Sequence, residues 1–65
     1  MEGLAMNELE MIKRFFATYE FSEKEKAVIE SYNGKESELL YRCYINTDLD
    51  LNVENLYSIF QANFI

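Results

Sequence analysis

The chain has 65 residues, with twelve acidic and six basic side chains, a net charge of −6 and no His, Pro or Trp. That length holds at most one domain, here taken as residues 1–65, and folding buries only about 60% of the surface the unfolded chain exposes. Cys43 stands alone, which excludes an internal disulfide and, without His, a standard structural zinc site, so self-association or docking on a partner is the support left to so small a core.

Residues 1–5 precede a second methionine, Met6, and are expected to be a short leader before an internal start. The first predicted element is a helix from about Leu4 to Tyr19. Its apolar residues fall at Ala5, Leu9, Ile12, Phe16 and Tyr19, with Met11 and Phe15 widening the stripe. Steps of three and four are the period of an amphipathic helix. Glu8 and Glu10 come early and Lys13 and Arg14 later, the order the helix dipole favours.

The middle of the chain supports two readings. Ala27–Tyr32 and Leu39–Ile45 are apolar runs on either side of Asn33-Gly34, the strongest short hairpin signal. A two-residue turn would place Lys24, Lys26 and Glu30 on the same face as Leu39, Tyr41, Cys43 and Ile45. A three-residue loop with Gly34 in the left-handed conformation instead pairs Ser31 with Lys35 and gathers Ala27, Ile29, Leu39, Tyr41, Cys43 and Ile45 on one face. A one-residue slip flips every side chain, and the longer loop gives the cleaner core. The competing reading is helical. Ser22-x-x-Glu25 is a capping box, Gly34 would close the helix after it, and Leu39, Leu40, Cys43 and Tyr44 also fit helical spacing.

The last predicted element is a helix from about Val53 to Phe64, capped by Asn52, with Glu54 in its first turn. Val53, Leu56, Tyr57, Phe60 and Phe64 form its stripe. Ile59 and Ile65 lie off that stripe, so this helix is either sandwiched or carries an interface. The preferred fold is therefore α+β, a single helix–β-hairpin–helix domain that dimerises by pairing the Leu39–Ile45 strand with its copy. The alternative is all-α, with four short helices.

Composition narrows function mainly by exclusion. Without His there is no Ser–His or Cys–His pair, and two glycines, Gly3 and Gly34, make no phosphate loop. The chain is read as a non-enzyme with no cofactor. Asp48-Leu49-Asp50-Leu51-Asn52 opens with the spacing of a calcium loop, but the sixth and twelfth positions hold Val53 and Ile59 instead of Gly and Glu, so no metal site is assigned. Cys43, in an apolar run, reads as a small buried hydrophobe. The six basic residues each sit near acidic ones, and none follows Arg42, which argues against direct nucleic-acid binding. No apolar run reaches the roughly 18 residues of a membrane span. With no secretory signal and one thiol, the expected location is the cytoplasm.

Two features point toward protein contact. Asp48, Asp50 and Glu54 face no neutralising residue in the last third of the chain. Ten aromatic rings are a heavy load for one small core, which makes Tyr19, Tyr44 and Tyr57, together with Tyr32, candidates for an interface. The expected function is a small acidic module that binds a larger protein, including one whose own ligand is nucleic acid. The composition is that of inhibitors and antirepressors carried by phage and mobile elements. The expected contact residues are Asp48, Asp50, Glu54, Tyr44, Tyr57 and Tyr19. The alternatives are a self-assembling structural subunit and a small-molecule sensor with its pocket at a dimer interface.

Overall fold

A computed structural model describes residues 3–65, with side chains from Glu8 onward. Residues 1–2 of the expected leader, and the side chains of Leu4, Ala5 and Met6, fall outside the described part. Four helices follow one another: α1 (Gly3–Thr18), α2 (Glu23–Glu30), α3 (Glu36–Ile45) and α4 (Val53–Phe64). Among the described residues there is no strand. The α+β expectation is thus overturned in favour of the all-α alternative. The dimer built by pairing Leu39–Ile45 strands goes with it, because that segment's backbone bonds close within α3.

The two outer helices form where their periodicity places them. In α1, Ile12 and Phe15 are buried, while Phe16 and Tyr19, just past its end, pack against the core. Met11 points outward, 48% exposed, and does not widen the stripe. In α4 the Asn52 side chain accepts a 2.8 Å hydrogen bond from the Asn55 N–H, which satisfies one of the orphan donors of the first turn. Leu56, Ile59 and Phe60 are buried. Val53, expected on the stripe, is 54% exposed, and Ile59, expected off it, is buried. The cause is packing on two sides, since α4 lies against both α1 and α3.

The middle segment shows why its apolar runs misled. Ser22 caps α2 through a complete capping box: its hydroxyl accepts from the Glu25 N–H, and the Glu25 carboxylate accepts from the Ser22 N–H at 2.8 Å. The helix ends at Glu30, with Ser31 as its cap, so Gly34 lies three residues beyond and does not close it. Asn33 (φ 55°) and Gly34 (φ 86°) are both left-handed, and the Lys35 N–H bonds the Tyr32 carbonyl at 3.1 Å. Positive φ at both central positions is what a tight hairpin turn requires. The Asn-Gly turn therefore forms, but it closes from Tyr32 to Lys35 and not as the preferred three-residue loop from Ser31 to Lys35, and it joins two helices. In α3, Ser37, Leu40, Tyr41 and Tyr44 follow i, i+3, i+4, i+7 and turn inward, with Leu40 fully buried. Ile45, assigned to the core face of a strand, is 54% exposed.

The core is a layer of α1, α3 and α4 packed on one another. Phe15, Phe21 and Phe60 are buried among the partly buried rings of Phe16, Tyr19, Tyr57 and Phe64, and neighbouring centroids in this cluster lie 4.9–6.2 Å apart. Edge-to-face pairs such as Phe15–Phe21 (83°) are the arrangement the ring quadrupole favours. Among the described residues no helix is long and apolar enough to cross a membrane.

Candidate functional site

Not one of the ten rings is exposed; three are buried and seven partly buried. Among the described residues, the large apolar side chains that do face solvent are Met11, Ile45, Leu49, Val53 and Ile65, and three of these five fall within residues 45–54. Ile45, Leu49 and Val53 are spaced by four. Between and beside them stand Asp48, Asp50 and Glu54, all exposed, and the segment contains no Lys or Arg.

This segment links α3 to α4 and is held by short-range bonds. The Thr47 hydroxyl donates to the Tyr44 carbonyl at 2.8 Å and accepts from the Leu49 N–H at 3.3 Å. The Asn55 side-chain amide donates to the Asp50 carbonyl at 2.8 Å. Leu51 packs against the core and anchors the middle. Tyr44 also packs against the core, so its backbone sets the start of the connector while only part of its ring meets water. Beside the connector, Met11, Phe15, Val53 and Leu56 line a shallow apolar cavity of about 170 Å³, with Arg14, Thr18 and Asn52 at its edge. The expected contact residues Asp48, Asp50, Glu54 and Tyr44 thus lie in one stretch of chain.

Tyr19 and Tyr57 make contacts of their own, with Tyr57 one turn beyond Val53 and Glu54 in α4. Their rings stack with centroids 4.9 Å apart and planes at 27°. The Tyr57 hydroxyl donates to Glu25 Oε2 at 2.5 Å, and the Gln61 amide donates to the same oxygen at 2.7 Å. Glu25 therefore accepts from Tyr57, Ser22 and Gln61 together. The Tyr57 hydrogen bond, followed by the Ser22 backbone bond, holds its carboxyl below the ordinary 4.5. The Glu25 carboxylate in turn holds the Tyr57 phenol above 10.0, with burial adding to the effect. These shifts run against acid–base work near neutral pH, which needs a carboxylate raised or a phenol lowered toward 7. The cluster is a clamp between α2 and α4. A looser relative is the Tyr41 hydroxyl on Glu8 at 3.3 Å, where burial first and the Glu8 carboxylate second raise the phenol.

Sequence reasoning missed Glu25 and Gln61 as clamp members, and missed the exposure of Ile45, Leu49 and Val53. No helical period could have signalled those three, because Leu49 lies in the non-helical connector between α3 and α4. Cys43 is partly buried against the core, and among the described residues no group of three or more potential ligands gathers for a metal. No protein-family model, curated protein or solved structure matches the chain.

Proposed function

We propose that the protein is a small acidic interaction module whose Ile45–Glu54 face covers a basic, apolar-studded surface on a larger protein. The observation that carries this reading is the interleaving of exposed Ile45, Leu49 and Val53 with Asp48, Asp50 and Glu54, with no cation among them. The aliphatic side chains supply area to remove from water. The carboxylates select a positively charged partner and speed its encounter, aided by the net charge of −6. Proteins that hold nucleic acid carry basic surfaces of this kind. Covering one would make the module an inhibitor or antirepressor, in keeping with its composition.

The test is capture from lysate of the source cell or its host with three tagged proteins: the native chain, the D48N/D50N/E54Q variant and the Leu49→Ser variant. Circular dichroism first establishes that all three keep their helices. The expected result is a stoichiometric partner that the native chain holds and both variants lose. Its association should slow as salt rises toward a Debye length of about 8 Å. A partner held equally by all three proteins refutes the assignment of this face. Recovery of the chain alone, as a stable oligomer, replaces the reading with self-assembly.

A further inference from the structure

The three-helix core leaves α2 out. It has no buried residue, whereas α3 contributes two and α4 three. Ile29 is its one side chain packed against the core cluster. Its remaining tie is the Glu25 carboxylate held by Tyr57 and Gln61 of α4. Between α2 and the end of α1 lies an open cleft of about 580 Å³, lined by Phe16, Tyr19 and Phe21 on one side and Lys26, Ile29 and Glu30 on the other. Chain on both sides of α2 is fastened: Phe21 is buried before it, and after it the Tyr32 ring packs on Phe64 at 4.9 Å. The composition of α2, EKEKAVIE, gives it little to lose in water. Its one ion pair, Lys26 with Glu23 at 3.8 Å, is exposed and adds almost nothing.

We propose that α2 is a strap, anchored at Phe21 and Tyr32 and latched by Glu25 on Tyr57 and Gln61, that opens as a unit while α1, α3 and α4 stay packed. Opening removes one side of the cleft and widens the access of solvent or a partner to the edges of Phe16, Tyr19 and Phe21. Local opening of this kind belongs to segments with few buried apolar contacts and solvent-facing backbone bonds. An eight-residue helix has no independent stability once it leaves its support, so opening and unwinding occur together.

Native-state hydrogen exchange of the full chain tests this, using the Tyr57→Phe variant, which keeps the ring and the capping box, and Tyr41→Phe as a control on the other phenol–carboxylate pair. Residues 26–31 are expected to exchange well before the amides of Ile12–Phe16 and Leu56–Phe60. Tyr57→Phe should accelerate the α2 amides on the order of tenfold, as loss of a hydrogen bond to a charged group implies, and leave the others unchanged. Tyr41→Phe should leave α2 unchanged. Limited trypsin digestion gives a second readout that does not depend on slow amides. Cleavage after Lys24 and Lys26 should precede cleavage after Lys13, Arg14 and Arg42, and Tyr57→Phe should quicken it by a similar factor. The proposal fails if α2 exchanges and is cut only together with α1 and α4. It fails equally if Tyr57→Phe leaves α2 unaltered or speeds every helix alike.

Discussion

Replacing Phe60 with alanine removes the centre of the aromatic cluster. The side chain is fully buried, with ring centroids of Phe21, Phe64, Phe16 and Tyr57 at 5.2, 5.0, 6.0 and 6.2 Å. Those rings come from α1, the loop after it and α4 itself, and their backbones are tied to separate elements. They cannot all shift inward to fill the void, so the cavity persists and its cost adds to the lost transfer energy. Buried Phe→Ala changes cost about 3–5 kcal/mol. A chain of 65 residues is held by roughly 3–10 kcal/mol in total. The variant is thus expected to lose about 12–40 °C of melting temperature and to be largely unfolded at 37 °C if the native chain lies at the low end. Urea unfolding followed by circular dichroism at 222 nm reads the loss directly. Phe60→Leu keeps most of the volume and should cost roughly 1–2 kcal/mol, which leaves a folded sample even if alanine does not. Val53→Ala, at a 54% exposed position of the same helix, controls for propensity and should stay within about 0.5 kcal/mol. A Phe60→Ala cost below about 1 kcal/mol with an unchanged urea slope would refute the packing account and place Phe60 at a surface.

The remaining predictions concern the caps, the turn and the clamp. Asn52→Ala should destabilise the fold by about 1 kcal/mol, seen as a lower urea midpoint at constant slope; no change would mean that the Asn55 N–H finds water instead. Gly34→Ala should cost about 1–2 kcal/mol from left-handed backbone alone, because a Cβ there meets nothing within 4 Å; Gly34→Asn should recover part of that. Glu25 has a folded pKa below its unfolded one, so its contribution is present above the ordinary 4.5 and is lost as pH falls through the lowered value. Tyr57 has a folded pKa above its unfolded one, so its contribution is complete below 10.0 and is lost as pH rises through the raised value. Exchange of the α2 amides, corrected for intrinsic rate, should therefore be flat between those limits and rise at either end, and Tyr57→Phe should weaken the acid limb. Phenolate absorbance should show Tyr41 and Tyr57 ionising above the ordinary 10.0, with the Tyr57 step absent from Tyr57→Phe.

The chain alone determined the outer helices. Ile12, Phe15, Phe16 and Tyr19, and likewise Leu56, Phe60 and Phe64, repeat at helical spacing over stretches long enough that no strand could keep them on one face. Asn52 and the Ser22–Glu25 pair marked helix starts because a cap is a bond between near neighbours. Asn33-Gly34 marked its turn for the same reason: positive φ is a property of the residues themselves. What those residues join is not. Leu39–Ile45 is seven residues of nearly unbroken apolar character, which fits a buried strand and a short helix equally. Only the slot between α1 and α4 decides it, by accepting Leu40 and Ser37 and leaving Ile45 in water. The candidate site divides along the same line. The acidity of Asp48, Asp50 and Glu54 was plain from the sequence. Tertiary packing engaged Tyr19 and Tyr57, by stacking those two rings and turning the Tyr57 hydroxyl onto Glu25, 32 residues earlier in the chain. It also turned Ile45, Leu49 and Val53 outward, because a core closed by ten half-buried or buried rings had no room left for them.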